Sequence, residues 1–290
     1  MTNILITGSK GQLGSEINEL SVKYNQFQFF FTDIEELDIC SLNAIKDYIK
    51  NKNISYIINC AAYTNVDQAE ENKELAKIIN ADAVKNLATV ASQNNITLIH
   101  ISTDYVFSGD NSTPYAEDQK AKPMGVYGNT KFEGEEYVRN ICQQHIIIRT
   151  SWLYSPFGKN FLKTMLRLGK EKASLDVVGD QVGTPTYAYD LASTILHIMQ
   201  IISENSLFNN FGTYHYSNEG VCSWYDFATE IQNTSKNRCK INCIESKDFQ
   251  CLAKRPHYSV LNKSKIKHIF TLEIPHWRSR IKHCIKRITE

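Results

Sequence analysis

A tyrosine and a lysine stand four residues apart in the stretch "VYGNTKFEGEE", at Tyr127 and Lys131. On a helix, positions i and i+4 share one face, so a phenol and an ammonium can converge on one point. A phenol titrates at roughly 10 and needs a neighbouring cation to exchange a proton near neutral pH, which Lys131 would supply. By itself the pair is weak, because half-buried tyrosines and solvated lysines recur at this spacing by chance. A second segment strengthens it. "HISTDYVF" closes an apolar run with Ser102, Thr103 and Asp104, and ligands of open α/β sheets lie beyond the carboxyl ends of the strands. A Thr103 hydroxyl placed there can hold a substrate oxygen for Tyr127, and Lys131 can also hold a nicotinamide ribose.

A third segment, "GSKGQLG", sets Gly8, Gly11 and Gly14 between an apolar run and an amphipathic one. Glycines at such a junction permit a tight turn and close backbone approach, while the free N–H groups of the following helix attract a pyrophosphate. The spacing is G-x-x-G-x-x-G, not the usual G-x-G-x-x-G. Asp33 ends the next apolar run, where a carboxylate can accept hydrogen bonds from ribose hydroxyls. "CAAYT" (60–64) ends another run with small residues that let a flat ligand approach. Together these favour a dinucleotide site.

The elements that must position these groups follow from the pattern. "NILITG", "FQFFFTD", "SYIINCAA", "TLIHIS" and "HIIIRTSW" read as strands buried on both faces. Helical patterns separate them, including a continuous helix over 73–93 and another over 130–141. That alternation indicates βαβ units and a parallel sheet. The fold class expected is α/β, a Rossmann-type doubly wound parallel sheet with a smaller C-terminal substrate domain. Residues 1–150 form the dinucleotide-binding domain, with returning segments from about 175–205, and 151–290 are mainly substrate-binding.

Composition excludes several other classes. The 290 residues are 42% hydrophobic and 22% charged with net charge +1, which provides no global field for nucleic acid or a membrane surface. No apolar run is long enough to span a bilayer and no leader precedes "MTNILITGSKG", so a cytoplasmic location is expected. The eight cysteines show no C-x-x-C pair and read as reduced thiols. A zinc site from Cys239, Cys243, Cys251 and His257 is disfavoured by its C-x3-C spacing. The basic last helix, with Arg278, Arg280, Lys282, Lys286 and Arg287, reads as a solvated face.

"GSKGQLG", "NCAAYT", "STDYVF", "VYGNTK" and "RTSWLY" resemble the extended short-chain dehydrogenase/reductase superfamily. "NFLKTMLRLGKE", "VVGDQVGTPTYAYDLA" and "AKRPHYSVLNKSKI" extend the likeness across nearly the whole chain, toward the dTDP-4-dehydrorhamnose reductases. The resemblance implies that Tyr127 protonates the nascent C4 alkoxide of a nucleotide-linked 4-keto-6-deoxyhexose, with hydride from NADPH or NADH. It also implies that Thr103 positions the proton donor and that Asp104 and Trp152 contact the sugar. Gly11, Gln12, Leu13, Asp33, Asp38, Ile39, Ala62, Tyr63 and Thr64 fall where the family binds the dinucleotide. Arg255 suits the diphosphate of the sugar nucleotide, since a guanidinium grips phosphate oxygens in pairs. Some members gather carboxylates around magnesium at a dimer contact. Glu16 matches one of these but Tyr189 stands in another's place, so no metal is expected, and a homodimer stays open.

Three rivals follow from the same residues. A 4,6-dehydratase needs a second carboxylate after Thr103-Asp104, where this chain has Tyr105. A 4-epimerase uses the same tyrosine and would retain NAD tightly. A non-catalytic dinucleotide-binding regulatory subunit is opposed by the intact Thr103, Tyr127 and Lys131.

Overall fold

The first apolar run forms strand β1 (Thr2–Thr7), after which Gly8, at φ +66°, turns the chain into helix α1 (Gln12–Ser21). In this computed structural model, which describes residues 2–289, the next expected strands follow as β2 (Phe27–Thr32), β3 (Ile54–Asn59), β4 (Thr97–Thr103) and β5 (His145–Thr150). The connecting helices are α2 (Leu42–Ile49), α3 (Val66–Glu71), α4 (Lys73–Lys77), α5 (Ala83–Gln93) and α6 (Val126–Ile141). All neighbouring strands of the large sheet run parallel.

Alternation along each strand divides the core in two. Ile4, Ile6, Ile58, Ile99 and Ile146 face one layer with Leu13 and Ile17 of α1, while Leu5, Ile57, Leu98 and Ile147 face the other with Ile45, Val84 and Leu87. The interiors of β1, β3, β4 and β5 are therefore largely buried on both faces, as a doubly wound sheet requires, whereas edge strand β2 exposes Gln28 and only half-buries Phe29 to Phe31. The expected continuous helix over 73–93 is broken by a π-helical turn at Ile78–Asp82. Asn80, buried in that turn, directs its amide out of the helix to the backbone of Tyr63 and to Thr130 Oγ1.

The second half contributes β6 (Leu153–Tyr154), α7 (Phe161–Glu171), β7 (Ser174–Val178), β8 (Val182–Gly183), β9 (Thr186–Tyr187) and α8 (Ala188–Glu204). Then come β10 (Gly212–His215), β11 (Cys222–Ser223), α9 (Trp224–Ser235), β12 (Lys240–Ile244), α10 (Ser264–Ile269) and α11 (Trp277–Thr289). The six-stranded sheet has the order β10-β5-β4-β3-β1-β2, so its direction reverses between β1 and β3. Leu191, Ile195 and Ile198 of α8 pack in the same core layer as α1, and β10 forms the sheet's far edge. β7 instead pairs with β12, outside that sheet. A third core joins Leu162, Met165, Phe227, Ile231, Trp277 and Ile281 from α7, α9 and α11.

Candidate active site

The reversal between β1 and β3 opens a crevice at the carboxyl ends of the strands, where doubly wound sheets take ligands. A cavity of about 460 Å³ lies there, lined by Gly8, Gly11, Asp33, Asp38, Ile39 and Ala62 among others. A Cβ added at Gly8 would lie 2.6 Å from Ala61 N, and one at Gly14 would lie 2.4 Å from Gly8 O. Only glycine lets the loop fold this tightly. Gly11 is the N-cap of α1, no acidic residue occupies the first turn, and free N–H groups at such a terminus suit a pyrophosphate. The glycine cradle, the helix end and the carboxylate beyond β2 fit a dinucleotide.

The remaining expected cofactor residues have different situations. Leu13 is buried in the core beside Ile17. Gln12 accepts a hydrogen bond from Asn160 at 2.9 Å. Tyr63 is fixed by Asn80 through both its N–H and its carbonyl, whereas Thr64 is exposed. Asp33 accepts from the N–H of Lys10 at 3.0 Å and of Ile34 at 2.9 Å. The Lys10 ammonium pairs with Glu35 and Glu36 at 2.5 and 3.2 Å.

Helix α6 begins at Val126, so Tyr127 and Lys131 lie on one helical face. The helix has no side-chain cap of its own; Glu70 of α3 accepts from Val126 N at 2.8 Å. Lys131 is buried and donates to the Ile101 carbonyl at 2.7 Å. Burial lowers its ammonium to about 8, against the opposing pull of the Glu135 carboxylate. Burial pushes the Tyr127 phenol up to about 12, with the hydrogen bond to Thr103 working against the shift and the Asp104 charge adding to it. The ammonium is thus tied to a backbone carbonyl, and desolvation is the largest influence on the tyrosine.

Thr103 donates to Asp104 at 2.9 Å and accepts from Tyr105 N at 3.2 Å. Asp104 is buried, its Oδ2 has no partner, and burial raises it to about 6 against hydrogen bonds from Ser259 and Thr103. Tyr105 packs edge-on against Tyr127, with ring centroids 5.5 Å apart. Trp152, at φ +47°, stacks on Trp224 with centroids 3.6 Å apart. Arg255 donates to Asp67 at 2.7 Å, and its buried Nε has no partner. The guanidinium expected to meet a diphosphate thus holds a carboxylate that reaches over from α3.

Several residues shape the site without having been found in the sequence. Glu135, one turn beyond Lys131, is fully buried and pairs with Arg149 at 2.7 Å, while Ser102 donates to it at 2.5 Å. Ser102 therefore faces α6, away from Thr103. Thr7, Asn59 and His100 link side chains across three strands beneath the cleft at 2.7 and 3.0 Å. Glu16 is buried and bonded to Ser155 and Arg287 at 3.0 Å each. Among the described residues, no three His, Cys, Asp or Glu side chains are grouped closely enough to hold a metal ion.

A family model described as the RmlD substrate binding domain matches residues 1–290. The dTDP-4-dehydrorhamnose reductase of Aggregatibacter actinomycetemcomitans is 39% identical over 291 residues, covering 98% of each chain. Among solved structures, the dTDP-4-dehydrorhamnose reductase of Clostridium acetobutylicum superposes with a TM-score of 0.93 at 40% identity and covers both chains completely. The enzyme of the same name from Bacillus anthracis, in complex with NADP, also gives 0.93, at 35% identity over 99% of this chain and 100% of its own.

Proposed function

The chain belongs to the RmlD substrate binding domain family, and from that membership we propose that it reduces the C4 ketone of dTDP-4-dehydro-6-deoxy-L-mannose to dTDP-L-rhamnose with NADPH or NADH. The observation that carries the chemistry is the Tyr127 phenol, held beside Thr103 and one turn from an anchored Lys131. When bound, the reduced nicotinamide supplies a hydride.

The chain's own residues do the rest. Tyr127 holds at its phenolic oxygen the proton that the C4 oxygen takes as the ketone becomes an alcohol. A phenol titrating at about 12 carries that proton throughout the neutral range, which is the state a reductase needs. Thr103 aligns the C4 oxygen with the phenol. Lys131 spends one N–H on Ile101 O and keeps two for the nicotinamide ribose. Gly8, Gly11, Gln12, Leu13 and Gly14 receive the pyrophosphate, Asp33 the adenosine ribose, and Asp38, Ile39, Ala62, Tyr63 and Thr64 line the remaining dinucleotide path. Asp104 and Trp152 bound the sugar. Arg255 takes the diphosphate by exchanging its Asp67 partner.

Residues 1–150 form the dinucleotide half and most of 151–290 the substrate half. The packing of α8 on α1 and the place of β10 in the large sheet support returning segments at 188–204 and 212–215. Reduced nicotinamide and nucleotide sugars are cytosolic metabolites, and the reaction is placed there. Tyr127→Phe tests the proton donor. Turnover should fall by roughly two to four orders of magnitude, as for a lost general acid, with cofactor binding intact. A variant that keeps most of its activity would refute the role.

A further inference from the structure

We infer that Trp224 is a positioning residue for the sugar: with Gly183 it clamps Trp152, so that the Trp152 indole forms a fixed wall of the sugar site. This rests on the reading that Trp152 meets the substrate. Trp152 has φ +47°, a left-handed conformation that costs a bulky L-residue free energy and persists only where its surroundings enforce it. The backbone around it is tied down. Ser151 Oγ donates to Thr184 O at 2.7 Å, and Thr186 N donates to Trp152 O at 3.1 Å. The side chain is held separately, by an indole stacked at 3.6 Å and 10°.

Trp224 is suited to that task by its position. It opens α9 directly after a capping box in which Ser223 and Asp226 bond each other's backbone. Its ring also packs on Phe161, 4.6 Å away, within the core of the substrate half. The opposite constraint is Gly183, where an added Cβ would lie 2.7 Å from the Trp152 ring and 2.7 Å from Ser259 Oγ. Ser259 neighbours Asp104, which accepts from Thr103, and Thr103 in turn neighbours Tyr127. Trp152 is thereby placed in register with the groups that meet the C4 oxygen. Without the clamp the indole can swing off its stacked position, and the wall is lost while the proton donor and cofactor cleft stand unchanged.

The test compares Trp224→Ala, Trp224→Phe, Gly183→Ala and Trp152→Ala. Steady-state kinetics are paired with far-ultraviolet circular dichroism, in which two stacked indoles give a paired positive and negative band. Trp224→Ala should lose the paired band and raise KM for the sugar nucleotide by up to about tenfold, the scale of one lost aromatic pair. KM for NAD(P)H and saturated kcat should stay within about twofold. Trp224→Phe, which keeps an aromatic face, should recover most of the affinity. Gly183→Ala, which leaves Trp224 in place, should raise the same KM. If Trp224→Ala does not fold, Trp224→Phe and Gly183→Ala decide the matter by the same split. An unchanged sugar KM in Trp224→Ala, or an equal rise in the cofactor KM, would overturn the inference. A sugar KM unaffected by Trp152→Ala would remove its premise, the substrate role of Trp152, and leave the reductase assignment standing.

Discussion

The buried ammonium of Lys131 should set the alkaline limit of catalysis. Its side chain lies under the dinucleotide cleft with one N–H on Ile101 O, and burial brings it to about 8 from the usual lysine value. The drop of between two and three units corresponds to about 3 kcal/mol at 1.36 kcal/mol per unit. The sign follows from the charge: the protonated, ribose-holding form is present below pH 8 and is lost above it. Tyr127 titrates at about 12 and stays loaded throughout. The kcat/KM for reduced cofactor, which reports on the free chain, should therefore be flat near neutrality. It should fall about tenfold per unit above pH 8, reaching roughly one hundredth at pH 10 for a single lost proton. Lys131→Arg keeps a charge that does not titrate in this range, so the limb should vanish, on a lower plateau. A wild-type limb at or beyond pH 10, or one that persists in Lys131→Arg, would refute the assignment.

Two further substitutions probe the ligand contacts. Asp33→Ala should raise the NADPH-to-NADH ratio of kcat/KM by at least about fivefold, since one unit charge at 4 Å contributes about 1 kcal/mol even in water; no shift would mean that Asp33 does not meet the ribose. Asp67→Asn should lower KM for the sugar nucleotide by up to about fivefold, the scale of a partly exposed ion pair. It frees Arg255 while keeping an oxygen for Ala253 N, and a raised KM would show that Asp67 orients Arg255 instead of competing for it.

Local patterns made much of this molecule legible. Strands β1, β3, β4 and β5 stood out because an interior buried on both faces must be a continuous apolar run, the edge strand β2 because of its phenylalanines, and Tyr127 and Lys131 because a helix carries its own register. The site's supports were hidden because they cross the chain. Glu70 caps α6 from 56 residues away and Asp67 meets Arg255 across 188. Asn80 did leave a signal, a polar residue in the apolar stripe of Val84 and Leu87, and the π turn exists where its amide leaves that stripe. Nothing around Trp152 announces a left-handed backbone, which follows from contacts with Trp224 and Gly183. The bond of Lys131 to the Ile101 carbonyl was hidden for the same reason, since a backbone carbonyl leaves no trace in side-chain spacing.

The central claim is tested most directly by supplying NAD(P)H with the dTDP-4-keto-6-deoxy-L-sugar made by a 3,5-epimerase and following cofactor oxidation together with product identity. The account predicts stoichiometric oxidation and dTDP-L-rhamnose, with a much slower reaction of the un-epimerised D-sugar, whose altered centres misplace the ring against Asp104 and Trp152. Equal rates with both sugars, or no oxidation with either, would contradict it.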